Sequence, residues 1–352
     1  MRVLVTGGAG FIGSHIVDAL AERGDSVVVL DSLDPGVHHA PPTYLRSDVD
    51  HCFVDLRWWT PDARFDDIEA IVHLAALGGV GRAAKETANV LTANVGGTAR
   101  LVDAAARFPK LKAIVLASSF SVYGSNYKYK CGTCGAERNA ERSVENLAAG
   151  RYEVLCNQCG AEAGILPLDE TAQPNPLEPY GASKYMQELC FRGFTAAPVR
   201  IMRFSSVYGP RLRLDDGEAT IIAKMAGWIA SGNRPALFED GRQIRDWVYV
   251  GDVVATTLAL LDNPSPPSLV NVCTGVPTTL TEACTLIAEA LGVDCPPEIV
   301  GGFRPGDMRH CLGDAAVLRT LLGRDPVDLN RGVPLAFQPQ GDADGIRPAT
   351  TR

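Results

Sequence analysis

No apolar run in this sequence approaches the ~20 residues that a bilayer span needs. Nor does the N-terminus read as a cleavable leader. MRVLVTGGAGFIG offers one basic residue and a short apolar run that dissolves into glycines, without a small-residue cleavage site. The stretch reads as a first strand, and a cytoplasmic protein with no membrane partner is expected. There is no basic excess either: 33 Lys and Arg against 41 Asp and Glu leave a formal charge of -8. That balance argues against nucleic acid as a partner, although a few placed arginines suffice for a small anion. Internal repeats are absent.

What is there is ordinary for a soluble globular chain: 352 residues, 46% hydrophobic and 21% charged. Such a length suggests about two domains of roughly 150 residues. Short β-rich runs alternate with helix-period segments over the first 205 residues: RVLVTG (2 to 7), SVVVLD (26 to 31), AIVHLAA (70 to 76), AIVLASS (113 to 119) and PVRIMRFSS (198 to 206). Ile12, Ile16, Val17 and Leu20 recur at helical spacing between the first two. This order predicts an α/β fold with a parallel sheet covered on both faces. Residues 216 to 232 and 279 to 292 read as helices of a smaller, less regular region, and the polar stretch from 338 reads as disordered.

TGGAGFIG (6 to 13) follows a strand and opens a helix, the context in which a glycine pattern binds a dinucleotide. Gly7, Gly10 and Gly13, with Phe11 and Ile12 between them, let the backbone turn tightly and approach a pyrophosphate at the helix start. Asp31 ends the second strand, 18 residues beyond Gly13. A carboxylate there accepts the adenosine ribose hydroxyls and repels a 2′-phosphate, which selects NAD over NADP. Downstream, Tyr180 and Lys184 in PYGASK share one face of a helix. A tyrosine with a reference pKa of about 10 acts as a base near neutrality only when a cation stabilises the phenolate, and Lys184 is placed to do so. His15 and His73 read as structural.

Six of the ten cysteines (Cys52, Cys190, Cys273, Cys284, Cys295, Cys311) are scattered singly among apolar residues and read as buried thiols. The other four form CGTCG and CNQCG. Cys131 and Cys134 are separated from Cys156 and Cys159 by 21 residues, and a glycine follows each pair. Four thiolates at this spacing suit tetrahedral zinc in a structural role, with iron, disulfides or free thiols as the alternatives. Residues 125 to 160 hold five basic and four acidic side chains, too balanced for a phosphate-binding patch.

Taken with HLAA (73 to 76), SSFSVYG (118 to 124), YGASK (180 to 184), RFSSVYGPR (203 to 211), RDWVYVGDV (245 to 253) and RPGDMRH (304 to 310), the chain resembles the extended short-chain dehydrogenase/reductase family of NAD-dependent nucleotide-sugar epimerases and dehydratases. The resemblance implies a Rossmann-type doubly wound sheet, a smaller C-terminal substrate domain and, here, an inserted zinc ribbon. It implies a tyrosinate base at Tyr180, Lys184 on the nicotinamide ribose and Ser119 completing the proton relay. Asp55 and Leu56 would flank the adenine, Leu74, Ala75 and Ala76 would line the cofactor cleft, and Arg245 and Arg304 would grip the substrate diphosphate. Ser206 stands where many relatives place an Asn that contacts that diphosphate. The implied divisions are 1–124 and 161–205, with a return at about 246–275, for the NAD-binding domain; 125–160 for the ribbon; 206–245 and 276–330 for the substrate domain; and 331–352 for a tail. A homodimer through residues 94 to 107 and 180 to 194 is implied too.

Dehydratases of the family carry Asp-Glu directly after the position of Ser119. Phe120 and Ser121 stand there, so 4-epimerisation is the expected reaction, with a 4,6-dehydratase or 4-keto reductase as alternatives. A non-catalytic NAD-binding scaffold that uses the ribbon to hold a partner is an alternative of another class. The paired-cysteine insert resembles that of a bacterial subgroup acting on dTDP-L-rhamnose, so a dTDP-6-deoxyhexose is the implied substrate.

Overall fold

The computed structural model describes residues 1–38, 40–139, 141–214, 220–304 and 307–337. Five strands open the chain: β1 (Arg2–Thr6), β2 (Ser26–Asp31), β3 (Asp50–Phe53), β4 (Ala70–His73) and β5 (Ala113–Ser119). With Val199–Phe204 and Leu269–Val272 they form one seven-stranded sheet, ordered Leu269–Val272, Val199–Phe204, β5, β4, β1, β2, β3, in which every pairing is parallel. Alternation along each strand feeds two cores. Leu4, Val28, Leu30, Ile71 and Leu116 face Leu101, Phe108 and Phe191 on one side. Val3, Val5, Val27, Val29 and Val72 face Ile16, Val17 and Leu20 of helix α1 (Phe11–Glu22) on the other. Burial on both faces explains the nearly continuous apolar runs, each large side chain contributing roughly 1.5–3 kcal/mol.

The chain winds outward from β1 to β3, then crosses back to β4. A crevice therefore opens at the carboxyl ends of β1 and β4, where an open α/β sheet binds its ligand.

Beyond the sheet, helices Ile221–Ala230, Leu280–Leu291 and Leu329–Phe337 pack around Tyr208 and Trp247. The Leu280–Leu291 helix starts at a reciprocal Thr279/Glu282 cap and stops at Gly292, whose φ of +69° suits glycine. The stretch 216 to 219, expected to begin a helix, lies outside the described residues.

Two expected boundaries shift. Leu329–Phe337 is a packed helix, with Leu329, Val333 and Phe337 buried, so a tail cannot begin at 331; residues 338–352 lie outside the described residues. The ribbon also runs past 160, because Ala163–Ile165 pairs antiparallel with Lys128–Cys131, which pairs on its other edge with Glu137–Asn139. Among the described residues, no helix is long and apolar enough to cross a membrane.

Candidate active site

The glycine turn is built for close approach. Gly7 has φ +72° and donates its amide to Leu30 O at 2.8 Å, and a Cβ on Gly13 would lie 2.1 Å from Gly7 O. Helix α1 begins at Gly10 with no side chain capping its amides. Its first N–H groups are thus available to a pyrophosphate. Asp31 is fixed at the rim, with Oδ2 accepting from Ala9 N (3.0 Å) and Oδ1 from Leu33 N (2.9 Å). Each oxygen keeps a lone pair for a ribose hydroxyl. Leu74, Ala75 and Ala76 leave β4 half-buried, and the Ala75 amide sits 2.8 Å from where a Gly7 Cβ would be. Phe11 and Ile12 pack their side chains beneath, against the sheet core. Asp55 is held by Arg57, whose Nη2 lies at 2.6 Å and whose hydrogen bonds keep the carboxyl below its usual range. Leu56 is buried in the core beside Gly97.

The chemical end lies where β5 meets the helix Pro179–Cys190. Glu178 caps that helix, accepting from Tyr180 N and Gly181 N at 2.7 Å each. Gly181 permits near contact with the Ser121 carbonyl, 2.4 Å from a hypothetical Cβ, so helix and strand end meet. There the Ser119 side chain, which accepts from Ser121 N at 3.1 Å, lies near enough to the Tyr180 phenol to act on its pKa. Burial pushes the Tyr180 phenol up to about 12, with Ser119 opposing. Burial also brings the Lys184 ammonium down to about 7, with Glu188 opposing. The structure thus brings Ser119 and Tyr180 together, with Lys184 one turn on.

Asn94 and Asp246, given no role by the sequence reading, tie the elements around this group together. Asn94 is fully buried; it accepts from Leu77 N at 2.7 Å and donates to Leu77 O (3.1 Å) and to Ser183 Oγ (2.9 Å). Asp246 is buried beside Arg245 and accepts from Thr274 N (2.7 Å), Thr274 Oγ1 (2.9 Å) and Gly275 N (2.9 Å). His73 bonds Thr6 Oγ1 at 2.6 Å and Thr98 Oγ1 at 2.8 Å, and burial holds its pKa at about 3. His15 bonds Pro210 O at 2.9 Å. Both imidazoles are thus held by partners within the protein.

Of the expected substrate contacts, Arg245 is the one held by several backbone carbonyls. Its Nη1 donates to Ile244 O (2.8 Å) and Arg309 O (3.0 Å), which locks the guanidinium while leaving donors over. Arg304 is exposed, with its guanidinium 4.8 Å above the Phe238 ring. Ser206 is half-buried in a short strand, donating its amide to Asp246 O at 3.1 Å. Phe120 is in the core: its ring meets Tyr123 edge-on at 5.5 Å and packs under Gly313.

The four ribbon cysteines converge, their Sγ atoms all within 4.8 Å of one another. Cys131–Cys159 and Cys134–Cys156 are 3.5 Å apart, and Cys134–Cys159 3.7 Å. A tetrahedron with Zn–S of about 2.3 Å has edges of roughly 3.8 Å, whereas a disulfide requires about 2.05 Å. The knuckles match: Gly135 N reaches Cys131 O and Gly160 N reaches Cys156 O, both at 2.9 Å, and both glycines have φ +74°.

Comparison with known proteins agrees with this geometry. The chain is 33% identical over 353 residues to a dTDP-L-rhamnose 4-epimerase of Burkholderia thailandensis, covering 94% of this chain and 93% of that one. It is 32% identical to a UDP-glucose 4-epimerase of Mycolicibacterium smegmatis over 95% and 96% of the two chains. The fold superposes on the UDP-glucose 4-epimerase of Thermotoga maritima, solved with UDP-glucose, with a TM-score of 0.74 at 28% identity, over 96% and 97% of the two chains. The Thermus thermophilus UDP-glucose 4-epimerase, solved with NAD, gives 0.71 at 29% identity over the same shares. Residues 3–143 and 156–273 match the NAD dependent epimerase/dehydratase family, and with the glycine turn, Asp31 and the Ser119–Tyr180–Lys184 group in place, the chain belongs to it.

Proposed function

We propose that this protein is an NAD-dependent nucleotide-sugar 4-epimerase. The observation that carries the reading is the pairing of an intact Ser119–Tyr180–Lys184 group with a strand end that lacks a second acid. The Gly7–Gly13 turn and Asp31 would hold NAD, which when bound would supply a reversible hydride acceptor for C4. Tyr180 accepts the proton of the C4 hydroxyl, and Ser119 holds that hydroxyl and the phenol in one hydrogen-bonded line. Lys184 lowers the cost of the phenolate when it carries its charge. Elimination of water would need a further carboxyl at the sugar, and Phe120 is packed in the core while Glu178 caps a helix. The 4-keto sugar therefore turns over and receives hydride on its other face.

Arg245 and Arg304 would bind the diphosphate, with Ser206 reaching it only through water. A dTDP-6-deoxyhexose such as dTDP-L-rhamnose is the favoured substrate, supported by the Burkholderia thailandensis relative. We assign the four-cysteine cluster to structural zinc, since four protein thiolates leave no open position for substrate. Reduced thiols suit a cytoplasmic setting. We also propose a homodimer through the helix Pro179–Cys190, where Met186 and Leu189 are 45% and 40% exposed. Incubation with a panel of dTDP-, UDP- and GDP-sugars, read by NMR, tests the activity. Inversion at C4 without net cofactor consumption is expected; a 4-keto-6-deoxy product or stoichiometric use of NADH would overturn it.

A further inference from the structure

Glu153 lies three residues before Cys156, on the approach to the second knuckle. The segment around it is pinned: Val154 is fully buried, and its carbonyl accepts from Ala163 N at 2.8 Å. The carboxylate, however, points out of the ribbon. Oε1 pairs with Arg309 Nη2 at 2.5 Å and Oε2 with His310 Nε2 at 2.8 Å. His310 Nδ1 accepts from the Ile244 amide at 3.0 Å. That bond fixes the tautomer, so the ring proton sits on Nε2 and is donated to Glu153. Ile244 precedes Arg245, and its carbonyl accepts from Arg245 Nη1 at 2.8 Å and from Cys311 N at 3.0 Å.

A second strut runs alongside. Arg142 donates to Glu239 Oε1 and to Asp307 O, both at 2.8 Å, and Arg309 donates to the other Glu239 oxygen at 2.7 Å. Arg309 is 1% exposed and Glu239 5%. Burying this many charges is a poor way merely to dock an insert, since apolar side chains of similar volume would hold it as well. What the charges add is directional geometry, because the planar Arg309 guanidinium is held at once by Glu153, Glu239 and Asp240.

We propose that Glu153 is a positioning residue: through His310 and Arg309 it transmits the metal-ordered ribbon to the strand Ile244–Arg245 and so sets the place of the Arg245 guanidinium that binds substrate. The diphosphate role of Arg245 rests on the proposed function; the mechanical link from ribbon to strand stands without it.

The test uses Glu153→Ala and Glu153→Gln in the full-length protein. Hydrogen–deuterium exchange in segments 242–247 and 307–312 should quicken several-fold in Glu153→Ala, while 2–6 and 113–119 keep wild-type protection. For the nucleotide sugar, KM should rise about tenfold with kcat changed by less than about twofold. Glu153→Gln keeps one acceptor for the His310 Nε2–H and should fall between. Combining Glu153→Ala with Cys131→Ser should be no worse than Cys131→Ser alone, because both cut one link. Unchanged exchange, an unchanged KM, or a loss confined to kcat would overturn the proposal, as would additive effects in the double variant. If the wild-type protein turns over no nucleotide sugar, the activity is refuted, and the exchange pattern alone decides the link.

Discussion

Glu188 presents both carboxylate oxygens to Arg203, at 2.9 Å from Nε and 2.7 Å from Nη2, one helical turn beyond Lys184. Ser118 Oγ donates to the same carboxylate at 2.6 Å, and Arg203 stacks over Tyr123 at 4.7 Å. Glu188 thus acts on Lys184 only through its field, opposing the burial that lowers the amine. Glu188→Gln leaves a buried guanidinium without its counter-charge, which costs about 3–5 kcal/mol. A fall in Tm of several degrees by calorimetry is expected, and an unchanged Tm would show that the pair carries no weight.

Tyr180→Phe deletes the proton acceptor and little contact area. Turnover should drop by about 10²–10⁴-fold. The NAD content of the purified variant, read by absorbance after denaturation, should match wild type. Retained turnover in a folded variant would remove Tyr180 from the chemistry.

Lys184 carries a pH signature in stability. Its pKa in the fold is about 7 against the usual 10.5 of a free lysine, so the unfolded chain binds more protons between those values. This group therefore makes stability rise with pH from about 7 to about 10.5. Urea denaturation of cofactor-stripped protein at pH 7 and pH 9.5 should show that rise, and Lys184→Met should flatten it. Equal slopes in the two proteins would place the lysine in water.

Reaction in deuterium oxide should leave C5 and C6 of the sugar unlabelled, because Phe120 is buried and the Ser121 hydroxyl has no basicity to remove a C5 proton. Label at either carbon, seen by NMR, would move the protein to the dehydratases.

Elemental analysis should find about one zinc per chain. Cys131→Ser should release it, while the sheet, with its own buried core, keeps NAD. A metal-free wild-type protein with full activity would end the zinc reading.

The sequence exposed β1, helix α1 and the glycine turn because the change from strand run to helical period happens within a dozen residues. Strand β3 was missed: DHCF has no apolar run, being a half-exposed edge strand made by pairing with β2. Leu269–Val272 was too short to stand out beside its prolines. Tyr180 and Lys184 were legible from their spacing, and the absence of a carboxylate after Ser119 was legible too. That Phe120 points into the core was not, since Gly313, which it packs against, is nearly two hundred residues away. Asn94, Asp246 and the Glu188–Arg203 pair escaped for the same reason: each is defined by partners that only the fold brings near. Among the cysteines, the spacing gave the cluster, while the road from Glu153 to Arg245 required coordinates.

The sheet places its last strand, Leu269–Val272, on the open edge of Val199–Phe204. Some 65 residues of chain separate the two, so a ribosome must deliver most of the molecule before that edge can close. Until then Val199–Phe204 presents unpaired backbone groups and an apolar flank to the surroundings. The nascent protein is consequently most exposed to mispairing late in synthesis, and parallel strands so far apart along the chain also make its refolding slow.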